Sequence, residues 1–270
     1  KYIIISTTRP ETILGDTAVA INPKDIRYKH LIGKKVIAPI TNRIIPIICD
    51  EYVDVNFGTG CVKITPAHDF NDYKLGKKHC LETINIKTKD AKINNKAPKR
   101  YINLEKNEAR NKIINELFDL NLILKKEINT INIPRGDRTN SIIEPFITDQ
   151  WYIKIKDLTK LSILMVKNKS IKFIPSQWKK IYFNWMHNIE DWCISRQLWW
   201  GHRIPAWYNN KNIYVGYNKN YIKNKYNIDK NMPLTQDNDV LDTWFSSALW
   251  PFGTLGWPNK TKDYYTYYPT

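Results

Sequence analysis

The sequence predicts an α/β protein made of two parts. Short apolar runs bounded by Gly, Pro and Asn, which are typical of strands and turns, occupy the chain up to Thr65. Apolar residues at three- and four-residue spacings then predict a helix within residues 104–124. Beyond residue 144 the chain becomes rich in tryptophan and tyrosine. A length of 270 residues suits two domains, which we expect at residues 1–144 and 145–270.

The predicted elements of the first part are short. Strands are predicted at residues 2–6, 52–55 and 61–65, and residues 35–48 alternate short apolar runs with Pro and Asn, as strands and turns do. Residues 68–79 are predicted to open a helix, with Asp69 near its start. Residues 87–99 are polar and predict a surface loop. In the second part, we expect a helix at residues 176–197 and a Lys- and Asn-rich insert at residues 209–230.

Composition limits the classes of function. The formal net charge of +16 suits a polyanionic partner such as RNA, but a bias of an AT-rich genome toward Lys, Asn and Ile explains it as well. The sequence has no apolar run long enough for a membrane span and no signal peptide, so we expect no membrane partner. Its 4 cysteines are widely spaced, which predicts neither a disulfide framework nor a metal site and suits a reducing cytoplasm.

A first polar cluster lies within residues 7–12. Pro10 stiffens the backbone there. The polar residues of the cluster are Thr7, Thr8, Arg9, Glu11 and Thr12. Hydroxyls, a guanidinium and a carboxylate at this density can hold a ribose, a phosphate or an amino acid. The same residues also suit a polar strand end with a helix cap at Thr8 or Thr12.

A second polar cluster surrounds the predicted turn between a strand and a helix. Lys63 and Thr65 alternate on the strand, so they point to the same side. Asp69 and Asp72 are three residues apart, so they share one face of a helix and could receive a cationic amine. Helix-capping acids and a solvated lysine would give the same spacing. His68 invites a general-base role, although a single histidine near a helix start is more often structural.

Together the two clusters resemble the editing insert of the valine, isoleucine and leucine tRNA synthetases. The valyl type is the most similar, because an isoleucyl insert usually carries His where Lys63 stands. The run that carries this resemblance is Thr65-Pro66-Ala67-His68-Asp69-Phe70-Asn71-Asp72-Tyr73. The resemblance continues through residues 15–20, 27–34, 135–138 and 148–152, so it covers nearly the whole chain.

The resemblance implies a fold and a reaction. Residues 1–144 would form a β-barrel-like editing domain with flanking helices, and residues 145–270 part of a Rossmann-like core with a parallel sheet. The implied partners are the acceptor end of tRNA(Val) and the amino acids valine and threonine. A pocket that accepts valine cannot strongly reject near-isosteric threonine, and valyl enzymes are the standard example of this limit. A second site must therefore hydrolyse the threonyl ester.

Within this resemblance each polar residue has an expected role. Asp72 would hold the substrate ammonium, and Asp69 and Thr12 would recognise the threonine hydroxyl or place the attacking water. Contacts to the terminal adenosine or the amino-acid pocket are expected from Thr7, Thr8, Arg9, Glu11, Phe57, Lys63, Thr65 and His68. No residue is an obvious nucleophile, so we expect catalysis by water positioning and electrostatics.

The second part resembles the amino-acid-binding segments of the synthetic core. Asp239 would hold the ammonium of valine, and Trp207 and Trp244 would pack against its side chain. The HIGH-type and KMSKS-type motifs that bind ATP phosphates in this class do not occur in the sequence. We therefore expect ATP and Mg²⁺ to serve the full-length enzyme and no cofactor or metal to bind this chain.

The chain begins at Lys1 within a β-rich run and ends at Thr270 without a closing element. We therefore expect an internal piece of a longer, monomeric, cytoplasmic enzyme, which edits tRNA and does not charge it. Two alternatives stay open: an editing domain of the isoleucyl or leucyl type, and a tRNA-binding module without catalytic activity.

Overall fold

The computed structural model describes residues 1–210, 212–229 and 231–269. The chain divides into two compact units, Lys1–Thr148 and Asp149–Thr270. The domain boundary that the sequence predicts, between residues 144 and 145, lies four residues earlier. The roles expected for the two domains stay predictions at this point.

The first unit contains one four-stranded sheet. Its strands are β1 (Ala18–Ile21), β2 (Lys35–Ile37), β3 (Ile44–Cys49) and β4 (Cys61–Ile64). Their order is β2-β3-β1-β4, with β1 parallel to β3 and antiparallel to β4. The sheet is open, and the described strands form no closed barrel. The β-barrel-like shape implied by the resemblance is therefore corrected to an open sheet.

Helices cover this sheet and its neighbouring core. The α-helices are α1 (Phe70–Lys78) and α2 (Lys106–Asp119), and 3-10 helices occupy Pro10–Gly15, Lys29–Leu31 and Lys99–Tyr101. Alternate residues of β1 face opposite sides of the sheet. Ala18 and Ala20 pack with Leu75 of α1 on one side, and Val19 and Ile21 lie in a second cluster on the other. The small alanines allow α1 to lie close to the strand.

A third core cluster joins the 3-10 helix Pro10–Gly15 to α2. Ile13 and Leu14 pack there against Ala109 and Ile113. The Glu105 side chain caps α2, and Glu108 accepts a hydrogen bond from the Glu105 N–H, which satisfies backbone donors at the helix start. This packing fixes the first polar cluster, which lies in and before the 3-10 helix.

Three predicted elements of the first unit are wrong. Residues 2–6 and 52–55 form no strand. At the second of these, the Asp50 carboxylate accepts a hydrogen bond from Tyr52 N–H at 3.0 Å, so the chain turns. The polar stretch 87–99 is not a simple surface loop, because Lys87 and Ile93 are buried within it.

The second unit is built from short strands and helices. Its strands are β5 (Tyr152–Ile153), β6 (Trp192–Cys193), β7 (Ser195–Arg196), β8 (Ala206–Asn209), β9 (Asn212–Val215), β10 (Thr235–Gln236) and β11 (Val240–Leu241). Its helices are α3 (Ile155–Lys167), α4 (Trp178–His187), α5 (Lys219–Lys225), α6 (Thr243–Ser247), α7 (Trp250–Gly253) and α8 (Lys262–Tyr267). Every strand pair described in this unit is antiparallel, so the parallel sheet expected of a Rossmann-like core does not occur among these residues.

Two further predictions for this unit are partly right. The helix predicted at residues 176–197 ends at His187, and the remainder forms β6 and β7. Positions 211 and 230 of the predicted Lys- and Asn-rich insert lie outside the described residues, and the rest includes β9 and α5. Within the described ranges, no helix combines the length and apolar composition needed to cross a membrane.

Candidate functional site

The centre of the candidate site is the turn between β4 and α1. Pro66 follows the strand, and Asp69 caps the helix by accepting hydrogen bonds from Asn71 N–H at 2.8 Å and Asp72 N–H at 3.1 Å. Asp72 Oδ2 accepts a hydrogen bond from Thr65 N–H at 2.8 Å. Lys63 and Thr65 lie on the same side of β4, as their alternation predicts, and the strand–turn–helix geometry brings Thr65 to Asp72.

The Asp72 carboxylate is buried, yet one of its oxygens has no protein partner. Burial raises the pKa of Asp72 to about 6, although the hydrogen bond from Thr65 N–H opposes this rise. Among the described residues, the hydrogen bond to this carboxylate is the one from Thr65 N–H to Oδ2, so Oδ1 is left for solvent or a ligand. A buried carboxylate with a free oxygen can bind a cation strongly, because water competes poorly there.

A second carboxylate completes a buried network beside Asp72. Asp16 Oδ1 accepts from Lys63 Nζ at 2.8 Å and from Thr65 Oγ1 at 2.5 Å. Lys63 Nζ also donates to Thr65 Oγ1 at 2.5 Å. Burial raises the pKa of Asp16, and the neighbouring Lys63 ammonium opposes that shift. No spacing pattern in the sequence indicates Asp16. The structure explains its presence, because Lys63 is only 8% exposed and a buried lysine requires an anionic partner.

Arg9 is held by partners on several segments. Its Nη1 donates to the His68 carbonyl oxygen at 2.8 Å, and its Nη2 donates to Glu144 Oε2 at 2.5 Å. Its Nε lies 3.6 Å from Glu11 Oε1, and Glu11 is fully buried with Arg110 Nη1 3.1 Å from Oε2. These bonds make Arg9 a structural link, and its expected contact with adenosine stays a prediction.

Glu144 joins three cationic side chains. Besides Arg9, it accepts hydrogen bonds from Lys87 and Lys106. Burial opposes its ionisation, but the hydrogen bonds from Lys106 and Lys87 outweigh burial and lower the pKa of Glu144 to about 2. Neither Glu144 nor Lys87 was selected from the sequence, because no spacing rule relates residues so far apart.

His68 has a structural position. Its ring is buried, and Nε2 accepts a hydrogen bond from Ile86 N–H at 3.1 Å. Burial, together with the charges of Lys87 and Arg9, lowers the pKa of His68 to about 3. The imidazole is therefore neutral at physiological pH, and its Nδ1 has no hydrogen-bond partner among the described residues. This geometry supports the structural interpretation of His68.

The remaining residues of the predicted site are either engaged or exposed. Thr12 is buried, and its hydroxyl donates to the Arg9 carbonyl oxygen at 2.9 Å. Thr7 and Thr8 are exposed, and Thr7 Oγ1 accepts from Arg9 N–H at 3.1 Å. Phe57 is 77% exposed, so its ring is available to an external partner. The catalytic role expected of Thr12 stays a prediction.

The three residues predicted to bind an amino acid in the second unit differ in their surroundings. Trp207 is buried with Ile222 and Leu234, and its indole N–H donates to the Gly216 carbonyl oxygen at 2.9 Å. Asp239 Oδ2 accepts from Gln197 Nε2 at 2.8 Å. Trp244 is 74% exposed. None of the three lines the cleft of about 440 Å³ formed by residues 198–203, Asn238 and Val240.

Metal-ligating side chains are scattered. Within the part of the chain that the structure describes, no group of three His, Cys, Asp or Glu side chains is close enough together to hold a metal ion.

Comparison with known proteins assigns the class. The chain belongs to the class I tRNA synthetases, because the family model described as "tRNA synthetases class I (I, L, M and V)" matches residues 21–270. Within this family its sequence is similar to valine–tRNA ligases. The enzyme of Legionella pneumophila (strain Paris) is 58% identical over 271 residues, which cover 100% of this chain and 29% of that protein.

Other valine–tRNA ligases give the same result. That of Francisella tularensis subsp. tularensis (strain SCHU S4 / Schu 4) is 54% identical, and that of Buchnera aphidicola subsp. Acyrthosiphon pisum (strain APS) is 52% identical. Each alignment covers 100% of this chain and 30% of the relative, so the chain spans about 30% of their length. A solved Agrobacterium radiobacter K84 agnB2 LeuRS-tRNA-LeuAMS complex aligns at 15% identity with a TM-score of 0.32, which is too low to carry an argument.

Proposed function

We propose that the unit Lys1–Thr148 is an editing domain that hydrolyses threonine from mischarged tRNA(Val). The unit Asp149–Thr270 would be part of the aminoacylation core. The full-length enzyme would attach valine to tRNA(Val) with ATP and Mg²⁺, and this chain would supply the editing step. The observation that carries the proposal is the buried Asp72 carboxylate with its free oxygen.

Asp72 would anchor the ammonium of the aminoacyl ester. Its Oδ2 is fixed by Thr65 N–H, so Oδ1 is held in one place and does not need to be ordered when substrate binds. An ammonium beside Asp72 favours the ionised carboxylate, because an opposite charge lowers a carboxyl pKa. The carboxylate and the substrate would therefore stabilise each other's charge.

The proposed reaction is hydrolysis of the ester by water. The water oxygen bonds to the ester carbonyl carbon, the bond from that carbon to the ribose oxygen breaks, and the ribose oxygen takes up a proton. The products are free threonine and tRNA with a restored terminal hydroxyl. Asp69 is exposed, and its Oδ1 is used to cap α1, so its other oxygen is available to orient the water.

Exposed residues beside the turn would receive the terminal adenosine. The Phe57 ring could stack on the adenine, since an aromatic face accepts any base. The exposed hydroxyls of Thr7 and Thr8 could donate to the ribose. Arg9 and Glu11 would support this surface through their bonds to His68 and Arg110.

The second unit would hold valine through Asp239. One of its oxygens is bound to Gln197, and the other has no hydrogen-bond donor among the described residues. Trp244 is exposed and could cover the side chain of valine. Trp207 would contact the side chain of valine only through the 8% of its surface that is exposed.

An ester-selectivity assay tests the proposed editing function. The full-length protein is incubated with tRNA(Val) charged with either threonine or valine, and release of the labelled amino acid is followed. We expect threonyl-tRNA to be hydrolysed at least tenfold faster than valyl-tRNA. Binding without release would indicate a tRNA-binding module, and preferential hydrolysis of the valyl ester would indicate an isoleucyl-type domain.

A further inference from the structure

Asp16 holds the two residues that lie next to the proposed ammonium anchor. Its Oδ1 lies 2.8 Å from Lys63 Nζ and 2.5 Å from Thr65 Oγ1. The same Thr65 donates its backbone N–H to Asp72. Thr65 therefore connects Asp72, the proposed anchor of the ammonium, with Asp16.

The direction of each hydrogen bond in this network is fixed by chemistry. An ammonium has no lone pair, so Lys63 must donate to both Asp16 and Thr65. Asp16 Oδ1 can accept from Lys63 and Thr65 together only if it carries no proton. The single proton of the Thr65 hydroxyl therefore points at Asp16. A threonine hydroxyl held in this way presents only a lone pair to any further group.

The free groups of the network form a matched donor and acceptor. Lys63 has three N–H bonds and donates to two partners among the described residues, so one N–H is left. Thr65 Oγ1 keeps one lone pair. A substrate hydroxyl can accept from Lys63 and donate to Thr65 at the same time. A methyl group in that place would leave both polar groups unpaired, which is costly in a buried site.

The arrangement also matches the covalent structure of threonine. Its ammonium and its hydroxyl are on adjacent carbons, so their partners must lie close together. Asp72 and the Lys63–Thr65 pair are brought together by Thr65, which contacts both carboxylates. We propose that Asp16 is a positioning residue that makes the editing site selective for an amino acid with a β-hydroxyl group. This inference rests on the proposed editing function.

A purely structural role explains Asp16 less well. Burial raises the pKa of the Asp16 carboxyl, so ionisation is costly at this place. Replacing a buried ion pair by apolar residues of similar volume is often neutral or stabilising. The buried Asp16–Lys63 ion pair therefore contributes little net stability. Its effect on the direction of the Thr65 hydroxyl proton gives Asp16 a function.

The test uses adenosine analogues that carry threonine or valine through an amide in place of the ester. Their affinities for the full-length protein are measured by calorimetry, which does not depend on turnover. In D16N the neutral amide oxygen holds Lys63 and the Thr65 hydroxyl less firmly than the carboxylate does, so the direction of the Thr65 proton is less strictly imposed. We expect the preference for the threonyl analogue to fall about 10- to 100-fold, with little change for the valyl analogue.

Two further variants separate positioning from folding. T65V removes the hydroxyl without unpairing the Lys63 charge, and it should lose the same preference even where D16N folds poorly. D16N combined with T65V should be no worse than T65V alone, because Asp16 acts through Thr65. D50N is the matched control, since Asp50 is a buried carboxylate paired with Lys78 and His79, and it should keep the preference despite a lower melting temperature.

The outcomes distinguish the two proposals. If the wild type prefers the threonyl analogue and D16N or T65V keeps that preference, the role of Asp16 is overturned and the editing function stands. If D16N weakens both analogues equally, Asp16 is structural. If the wild type prefers neither analogue, the editing function fails and the role of Asp16 fails with it.

Discussion

Asp72 Oδ2 accepts a hydrogen bond from the backbone N–H of Thr65 at 2.8 Å, which joins the first turn of α1 to the end of β4. This bond fixes the carboxylate but does not compensate for its burial, because burial still raises the pKa of Asp72 to about 6. A group that is costly to ionise and has a free oxygen has the properties of a binding site for a cation.

The stability of D72N should differ from that of an ordinary buried mutant. The amide oxygen can still accept from Thr65 N–H, and the cost of burying a charge disappears. At pH 7 we expect D72N to be at least as stable as the wild type, with a gain of at most about 3 kcal/mol. The melting temperatures of the two full-length proteins provide the measurement.

The sign of the pH dependence gives a stricter check on D72N. The pKa of Asp72 is raised from 3.8 to about 6 in the folded protein, so its contribution to stability is present below pH 3.8. That contribution is lost as the pH rises through about 6. The wild type should therefore lose stability relative to D72N between these values. A constant difference across the range would contradict the buried, high-pKa carboxylate.

Hydrolysis should show the opposite dependence on pH. Only ionised Asp72 can hold the ammonium, so its pKa of about 6 in the free protein predicts that kcat/KM for threonyl-tRNA hydrolysis declines as the pH falls below about 6. D72N should show a low rate without this inflection, after subtraction of spontaneous hydrolysis in buffer. A wild-type profile without any inflection between pH 5 and 7 would argue against Asp72 as the anchor.

Removal of the charge on Glu144 should destabilise the first unit. E144Q leaves buried Lys87 without its anionic partner, and we expect a loss of about 3 kcal/mol. E127Q is the control, because Glu127 and Lys125 form an exposed pair that should contribute less than about 0.5 kcal/mol. Urea denaturation at pH 7 measures both, and equal effects would show that the Glu144 cluster is not important for stability.

The contribution of Glu144 should disappear in acid. Its pKa is lowered from 4.5 to about 2 in the folded protein. The stability that it provides is therefore fully present above pH 4.5 and is lost as the pH falls through about 2. The difference between wild type and E144Q should shrink over this interval.

Gly76 allows α1 to lie against the turn that precedes it. A Cβ atom at this position would be 2.8 Å from Cγ and 2.9 Å from Cβ of Pro66. G76A should therefore cost about 1–3 kcal/mol, because the rigid proline ring cannot move aside. G253A is the control, since no atom lies within 4 Å of its Cβ and alanine favours a helix. Thermal denaturation should show a lower melting temperature than that of the wild type for G76A and not for G253A.

Local features of the site were predictable from the sequence. Pro66 and Asp69 predicted where the strand ends and where α1 begins, and alternation placed Lys63 and Thr65 on one side. These predictions succeeded because each depends on residues that are neighbours in the chain. Residues 2–6 have the composition of a strand but pair with no neighbouring strand among the described residues, because composition does not specify which segments pair in a sheet.

Long-range partners were not predictable in this way. Asp16 meets Lys63 across 47 residues, and Glu144 meets Arg9 across 135. Nothing in the spacing relates such residues, because the sheet order β2-β3-β1-β4 decides which segments meet. The open sheet of the first unit and the antiparallel pairs of the second likewise depend on tertiary contacts. The sequence predicted the local strand–turn–helix geometry and not the network of long-range bonds around it, and the roles expected of the site residues stay predictions.

A single-turnover assay tests the editing function most directly. The full-length wild type, D72N and the exposed-site control D119N are mixed in excess with threonyl-tRNA(Val), and the release of threonine is followed at pH 7.5. We predict rapid release by the wild type and D119N, and a rate near that of buffer alone for D72N. Release by D72N at the wild-type rate would contradict the role of Asp72, and no release by the wild type would contradict the editing function itself.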